Sequence, residues 1–193
     1  GQVGSLTVPT GYEVISTEGM TVLPGLWDMH VHLMITGHSD YAHWDKTYPA
    51  RFEKEIMPAS ARQLLMAGVT TAGDLGGPLE PSLNVRNRIN RGEIPGPTLY
   101  VSGPFIQHAP YPGTELFRWG VTGEDDARAK VRRLAKAGVD VIKLIDQDQM
   151  TLAELTGVCE EARAVNLPIV AHAHRPDEIR RALACEAADL QHT

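Results

Sequence analysis

The chain has 193 residues, 42% of them hydrophobic and 22% charged, with a formal net charge of −6 and two cysteines. That is the balance of a globular domain with room for one core. No apolar run reaches the ~20 residues of a membrane helix, and the acidic charge argues against nucleic acid as the main partner, since phosphate binding needs clustered Lys and Arg. Residues 1–24 are rich in Val, Thr and Gly, with short β-type runs at Tyr12–Ile15 and Thr21–Leu23. From Pro24-Gly25 onward, apolar strands alternate with amphipathic helices. Strands are predicted at Leu26–Leu33, Val69–Leu75, Thr98–Ser102, Val139–Ile145, Leu167–Ala173 and from Leu190 to His192. Helices are predicted at Phe52–Ala67, Ser82–Asn90 and Thr122–Ala137, the last with Asp125 and Asp126 in its first turn and Lys136 in its last, as the helix dipole favours. Thr151-Leu152-Ala153-Glu154 is a capping box, and Pro176 opens a further helix. The basic run Arg128–Lys136 reads as a solvated face paired with Glu124–Asp126.

Cys159 and Cys185 form neither a disulfide framework nor a zinc-ribbon spacing. They are expected as reduced, buried thiols, which points to a reducing, cytoplasmic setting. The N-terminus carries no cleavable signal. The chain opens without Met inside a strand-like run and stops at Gln191-His192-Thr193, so both ends are expected to be cut.

Strand, helix, strand, repeated along the chain, means parallel strands with crossover helices. An open doubly wound sheet and a (β/α)8 barrel both fit. Gly-x-Gly-x-x-Gly after the first strand, which would mark a nucleotide-binding sheet, is absent, and a His pair stands there instead. A barrel typically needs ~250 residues, so the barrel here would be an incomplete one of about six strands. The edge of its last strand would then lack a neighbour, and the 193-residue piece is expected to be poorly soluble and inactive alone.

Five of the eight histidines fall at predicted strand ends. His30 and His32 end the first strand, His172 and His174 the fifth, and His192 the sixth. Residues at i and i+2 of a strand share a face, so His-x-His can converge on one ion, and neutral imidazole suits zinc and its neighbours. In a barrel all these ends point to the face where active sites are built. Lys143 sits among apolar residues near the end of the fourth strand. Burying an unpaired ammonium is costly, so the residue either reaches the rim or a carboxylate, or has a lowered pKa and reacts with carbon dioxide to give an anionic carbamate. His38, His43 and Trp44 after the first strand, and His108 with Tyr111 after the third, read first as exposed loop residues and second as the lining of a substrate pocket.

Met20-Thr21-Val22-Leu23-Pro24-Gly25-Leu26-Trp27-Asp28-Met29-His30-Val31-His32-Leu33 resembles the start of the barrel in the amidohydrolase superfamily. Gly68-Val69-Thr70-Thr71 with Asp74-Leu75-Gly76-Gly77, Gly138–Lys143 and Pro168–His174 resemble its imidazolonepropionase-like and prolidase-like dipeptidase branch. The resemblance covers essentially the whole chain. It implies a (β/α)8 TIM-type barrel over residues 25–193, truncated before its last strands, with residues 1–24 as part of a small β-sandwich subdomain. It implies two divalent metal ions, zinc above all. His30 and His32 would hold the more buried ion and His172 and His192 the more exposed one, with Lys143 as a carbamate between them. His174 would contact substrate or support a ligand, though which of His172 and His174 is the ligand stays open. Asp28 would orient a ligand or cap the strand. Two departures stand out. The Asp the family places at the eighth strand lies outside this chain, and Ala72-Gly73 stand where the branch often has Arg before Asp-Leu-Gly-Gly.

The expected activity is metal-dependent hydrolysis of a C–N bond, an amide or cyclic amide, with a dipeptide or N-acyl amino acid as substrate. A cyclic-imide hydrolase or deaminase of the same superfamily is the alternative. An inactive scaffold is the reading from another class, and it has no need for all five metal-site residues. Among partners, a small molecule or dipeptide is expected, nucleic acid and membrane are not, and a homo-oligomer stays open.

Overall fold

The computed structural model of the chain describes residues 7–37 and 40–192. Residues 7–25 carry no strand or helix and are exposed. The two β-type runs predicted there therefore do not form strands, because no described segment pairs with them and an unpaired run has no ladder. From Leu26 the elements follow in order: β1 (Leu26–Val31), α1 (Tyr41–Thr47), α2 (Met57–Met66), β2 (Val69–Asp74), α3 (Leu79–Asn90), β3 (Thr98–Val101), β4 (Phe105–Gln107), β5 (Arg118–Gly120), α4 (Gly123–Ala137), β6 (Ile142–Leu144), α5 (Leu152–Ala164), β7 (Ile169–His172), α6 (Pro176–Ala184) and β8 (Asp189–Gln191). The predicted helix over Phe52–Ala67 begins as a π-helical turn, Phe52–Ile56, before α2.

Every strand pairing is parallel. One sheet runs β1-β2-β3 and the other β5-β4-β6-β7-β8. The two join where β3 gives way to β4. The Asp140 amide, just before β6, donates to the Val101 carbonyl of β3 at 2.8 Å. The result is an incomplete barrel of parallel staves with crossover helices, as the alternation predicts. The short strands β4 and β5 were not expected. At three residues each, among Gly and Pro, they are too brief to show a period.

The core is fed by both layers. Ala127, Val131 and Leu134 of α4 are buried at helical spacing, as are Leu155, Val158 and Ala162 of α5. Each large aliphatic side chain buried this way contributes about 1.5–3 kcal/mol. The basic face of α4 finds half its partners where expected, in Arg128–Glu124 and Lys130–Asp126, both at 2.6 Å. The other half comes from α5, in Arg128–Glu160 at 2.5 Å and Arg132–Glu161 at 2.7 Å. The Thr151–Glu154 capping box forms as predicted.

The cysteines correct the sequence reading. Cys159 of α5 is disulfide-bonded to Cys185, the residue that caps α6, with their Cα atoms 5.2 Å apart. Their separation of 26 residues carries no motif. Successive right-handed crossovers place α5 and α6 on one outer face of the sheet, and that proximity is invisible in spacing alone. The ground for inferring a reducing, cytoplasmic compartment falls with the free thiols. No helix among the described residues is long and apolar enough to cross a membrane.

Candidate metal centre

The end of β1 is built around a bulge. Asp28 pairs with Ala72 and Val31 with Asp74, so β1 spends three steps where β2 spends two. A bulge frees a backbone N–H and re-aims the side chains beside it. Here the Asp28 carboxylate accepts the freed His30 amide at 3.1 Å, which is the strand-capping role foreseen for that residue. The bulge also presses β1 onto β2. A Cβ at Gly73 would lie 2.9 Å from the Met29 carbonyl, so no larger side chain fits there, and the absence of Arg before Asp74 follows from packing. His30 and His32 meet with their Nε2 atoms 3.2 Å apart, as i and i+2 predict. His32 is turned by its other nitrogen, whose Nδ1 lies 3.2 Å from the Gly76 carbonyl. That bond fixes the tautomer and leaves Nε2 with its lone pair, the arrangement metal-binding histidines favour. Gly76 has φ +150°, and a Cβ there would run into the Phe105 ring at 2.3 Å. Asp74 accepts the Leu33 amide at 3.1 Å and so holds the chain just beyond His32.

On the other side of the opening, β7 delivers His172, the following turn delivers His174, and His192 follows β8. One ring nitrogen of each lies within 4.8 Å of the others. The His30 and His192 rings approach to 4.5 Å, which links the two groups. Two buried side chains set this half. Gln147 Nε2 donates to the His172 carbonyl at 2.8 Å and to Glu178 at 3.0 Å. The Glu178 carboxylate accepts the amides of His174 and Arg175, both at 2.8 Å. Neither Gln147 nor Glu178 was singled out in the sequence. Glu178 was findable, because it stands at the third position of a helix opened by Pro176, where a carboxylate closes the turn.

Lys143 lies on β6, 1% exposed, and its Nζ has no hydrogen-bond partner among the described residues. It reaches neither the rim nor a carboxylate bond. Burial lowers its pKa to about 8, against which the Asp189 charge works. At pH 7 roughly a tenth of such amines are neutral, against far below 1% for an ordinary lysine. The pKa values of His30, His32, His172 and His192 are lowered as well. Burial, helped by the Lys143 charge, brings His30 down to about 3. His32 lies near 4, lowered chiefly by burial against the Gly76 bond. His172 is also near 4 through burial and its histidine neighbours, and His192 is lowered by burial and Lys143. These lowered imidazoles and an unpartnered buried amine are a donor set that fits divalent cations.

The loop residues divide. Trp44 is 4% exposed and lines a hollow beside His32, so for it the pocket reading replaces the exposed-loop one; Tyr111 lines the same hollow and stays exposed, as first read. His43 is exposed. His108 bonds through Nδ1 to Glu154 at 2.9 Å, at the head of α5. His38 lies outside the described residues.

Comparison with known proteins agrees with this geometry. No curated protein matches the chain. Among solved structures, an amidohydrolase superposes with a TM-score of 0.81 at 22% identity, covering 96% of this chain and 52% of that one. A prolidase complexed with N-methylphosphonate-L-proline gives 0.80 at 22%, over 96% and 51%. The A. niger ochratoxinase gives 0.66 at 26%, over 86% and 46%. The chain thus spans about half the length of the solved structures it matches. The amidohydrolase family model matches residues 21–192, nearly the whole sequence. With parallel staves ending in a histidine rim, this chain belongs to the amidohydrolase family.

Proposed function

We propose that the chain carries the metal-binding part of a hydrolase that cleaves a C–N bond, an amide or cyclic amide, in a dipeptide or N-acyl amino acid. One observation carries this reading: the His30–His32 pair of β1 meets the imidazoles of His172, His174 and His192 at one opening, and a buried, unpartnered amine, Lys143, lies on β6 beside β7. His30 and His32 would hold one divalent ion and His172 and His192 the other, with Lys143 as a carbamate serving both. Zinc suits so imidazole-rich a set. When bound, such ions polarise a carbonyl and bring the pKa of water toward neutrality.

The chain's own groups prepare that chemistry. The Gly76 carbonyl holds His32 in the tautomer that presents Nε2. Gln147 pins the backbone at His172. Lys143, buried and partly neutral at pH 7, can add its Nζ lone pair to the carbon of CO2, forming an N–C bond and releasing one amine proton to solvent. The buried cation becomes an anion with two oxygens. His174 is exposed beside His172 and His192, and it would contact substrate.

Metal analysis tests the reading on the full chain purified with zinc and bicarbonate. Two zinc ions per chain are expected, and at least one should be lost in each of Lys143→Ala and His30→Ala. Full retention in both variants would overturn the site.

A further inference from the structure

A hollow of about 480 Å³ opens beside His32, and its wall is aromatic, with Trp44, Phe105, Tyr111 and Phe117. Two donors in residues of that wall have no acceptor among the described residues. They are Nε of Arg118 and Nε1 of Trp44, both buried. Both atoms are withdrawn from the surface of the hollow, so what can meet a ligand there is the outer edge of the Arg118 guanidinium, a residue of the hollow's wall.

Arg118 is the stronger sign. Its guanidinium carbon stands 5.1 Å from the Phe105 ring centre, 5.4 Å from Tyr111 and 5.8 Å from Phe117. Its one hydrogen bond runs from a terminal nitrogen to the Gln107 side-chain oxygen at 3.0 Å. Asp45 shares the wall, yet no carboxylate among the described residues comes within ion-pair distance of Arg118. A planar guanidinium held among rings and left unneutralised is shaped to receive a carboxylate through a paired contact. The placement suits the rim. His32 lies 5.5 Å from the Phe105 ring, so the guanidinium stands within about 11 Å of His32, the two distances together. That span holds one residue, about 3.8 Å from one backbone unit to the next, plus the contacts at either end.

We propose that Arg118 is the specificity residue that takes the substrate's carboxylate, while the surrounding rings take an apolar, best aromatic, side chain on the same residue. Resting on the hydrolase reading above, this narrows the substrates to N-acyl amino acids and dipeptides whose C-terminal residue is apolar.

The test is binding, read by tryptophan emission and calorimetry on the full chain without zinc. N-acetyl-L-phenylalanine is expected to bind at least tenfold more tightly than either its C-terminal amide or N-acetylglycine. Arg118→Met should bring the acid down to the level of the amide and leave the amide unchanged. Arg118→Lys, which keeps the charge but loses the fork, should retain part of the preference. Equal binding of acid and amide by the natural chain would overturn the proposal. So would an undiminished preference in Arg118→Met with native circular dichroism. A preference for the acid in a chain that takes up no zinc would support the anchor and overturn the hydrolase reading instead.

Discussion

Asp74 shows how much one carboxyl can matter. It is fully buried, its Oδ1 occupied by the Leu33 amide and its Oδ2 without a partner. Burial pushes its pKa up to about 7. The folded chain then holds this proton more tightly than the unfolded chain, where an aspartate titrates near 3.9. The stability it lends is complete below that value and drains away as pH rises through about 7. Asp74→Asn removes the dependence. Urea unfolding with chelator present is expected to show the variant gaining on the natural chain between pH 5 and 8. A gap that stays constant across that range would contradict the assignment. At this scale the sequence was legible wherever neighbours along the chain decide the outcome. His30 and His32 converge because strand residues two apart share a face, and Lys143 is buried because Val141, Ile142 and Leu144 flank it. Gln147 and Arg118 were not legible as site residues, and Trp44 was only as a second reading, because what they touch comes from other strands and loops.

Among elements, the reading succeeded where a local signal exists. The Thr151–Glu154 box started α5, and Pro176 opened α6. It failed where two elements had to be side by side first, as with β4, β5 and the Cys159–Cys185 bridge. That bridge closes a loop of 26 residues. In the chain-entropy account such a cross-link stabilises by about 3.5 kcal/mol. Reduction with dithiothreitol, or Cys185→Ser, should lower the unfolding free energy by that order, measured by urea titration. No change on reduction would show that the bond does not constrain the unfolded chain. The ion pairs between α4 and α5 lie mostly at the surface and contribute far less, each up to about 1 kcal/mol.

For the whole molecule, the strand ladders end at β1 and β3 in one sheet and at β5 and β8 in the other. Leu26, Trp27 and Met29 on β1 are exposed, as are Val22 and Leu23 just before it. Unpaired strand edge beside exposed apolar surface invites pairing with another chain. Light scattering on the 193-residue chain is expected to show association that grows with concentration and weakens in Trp27→Lys. A monodisperse monomer at all concentrations would refute this. The rings of His30 and His192 approach to 4.5 Å although about 160 residues of chain separate them. Contacts so distant in sequence come late and slowly. On the ribosome, the ring contact of His30 with His192 waits until the segment around His192 has emerged, so a nascent chain stalled before it presents the first imidazole pair without that neighbour.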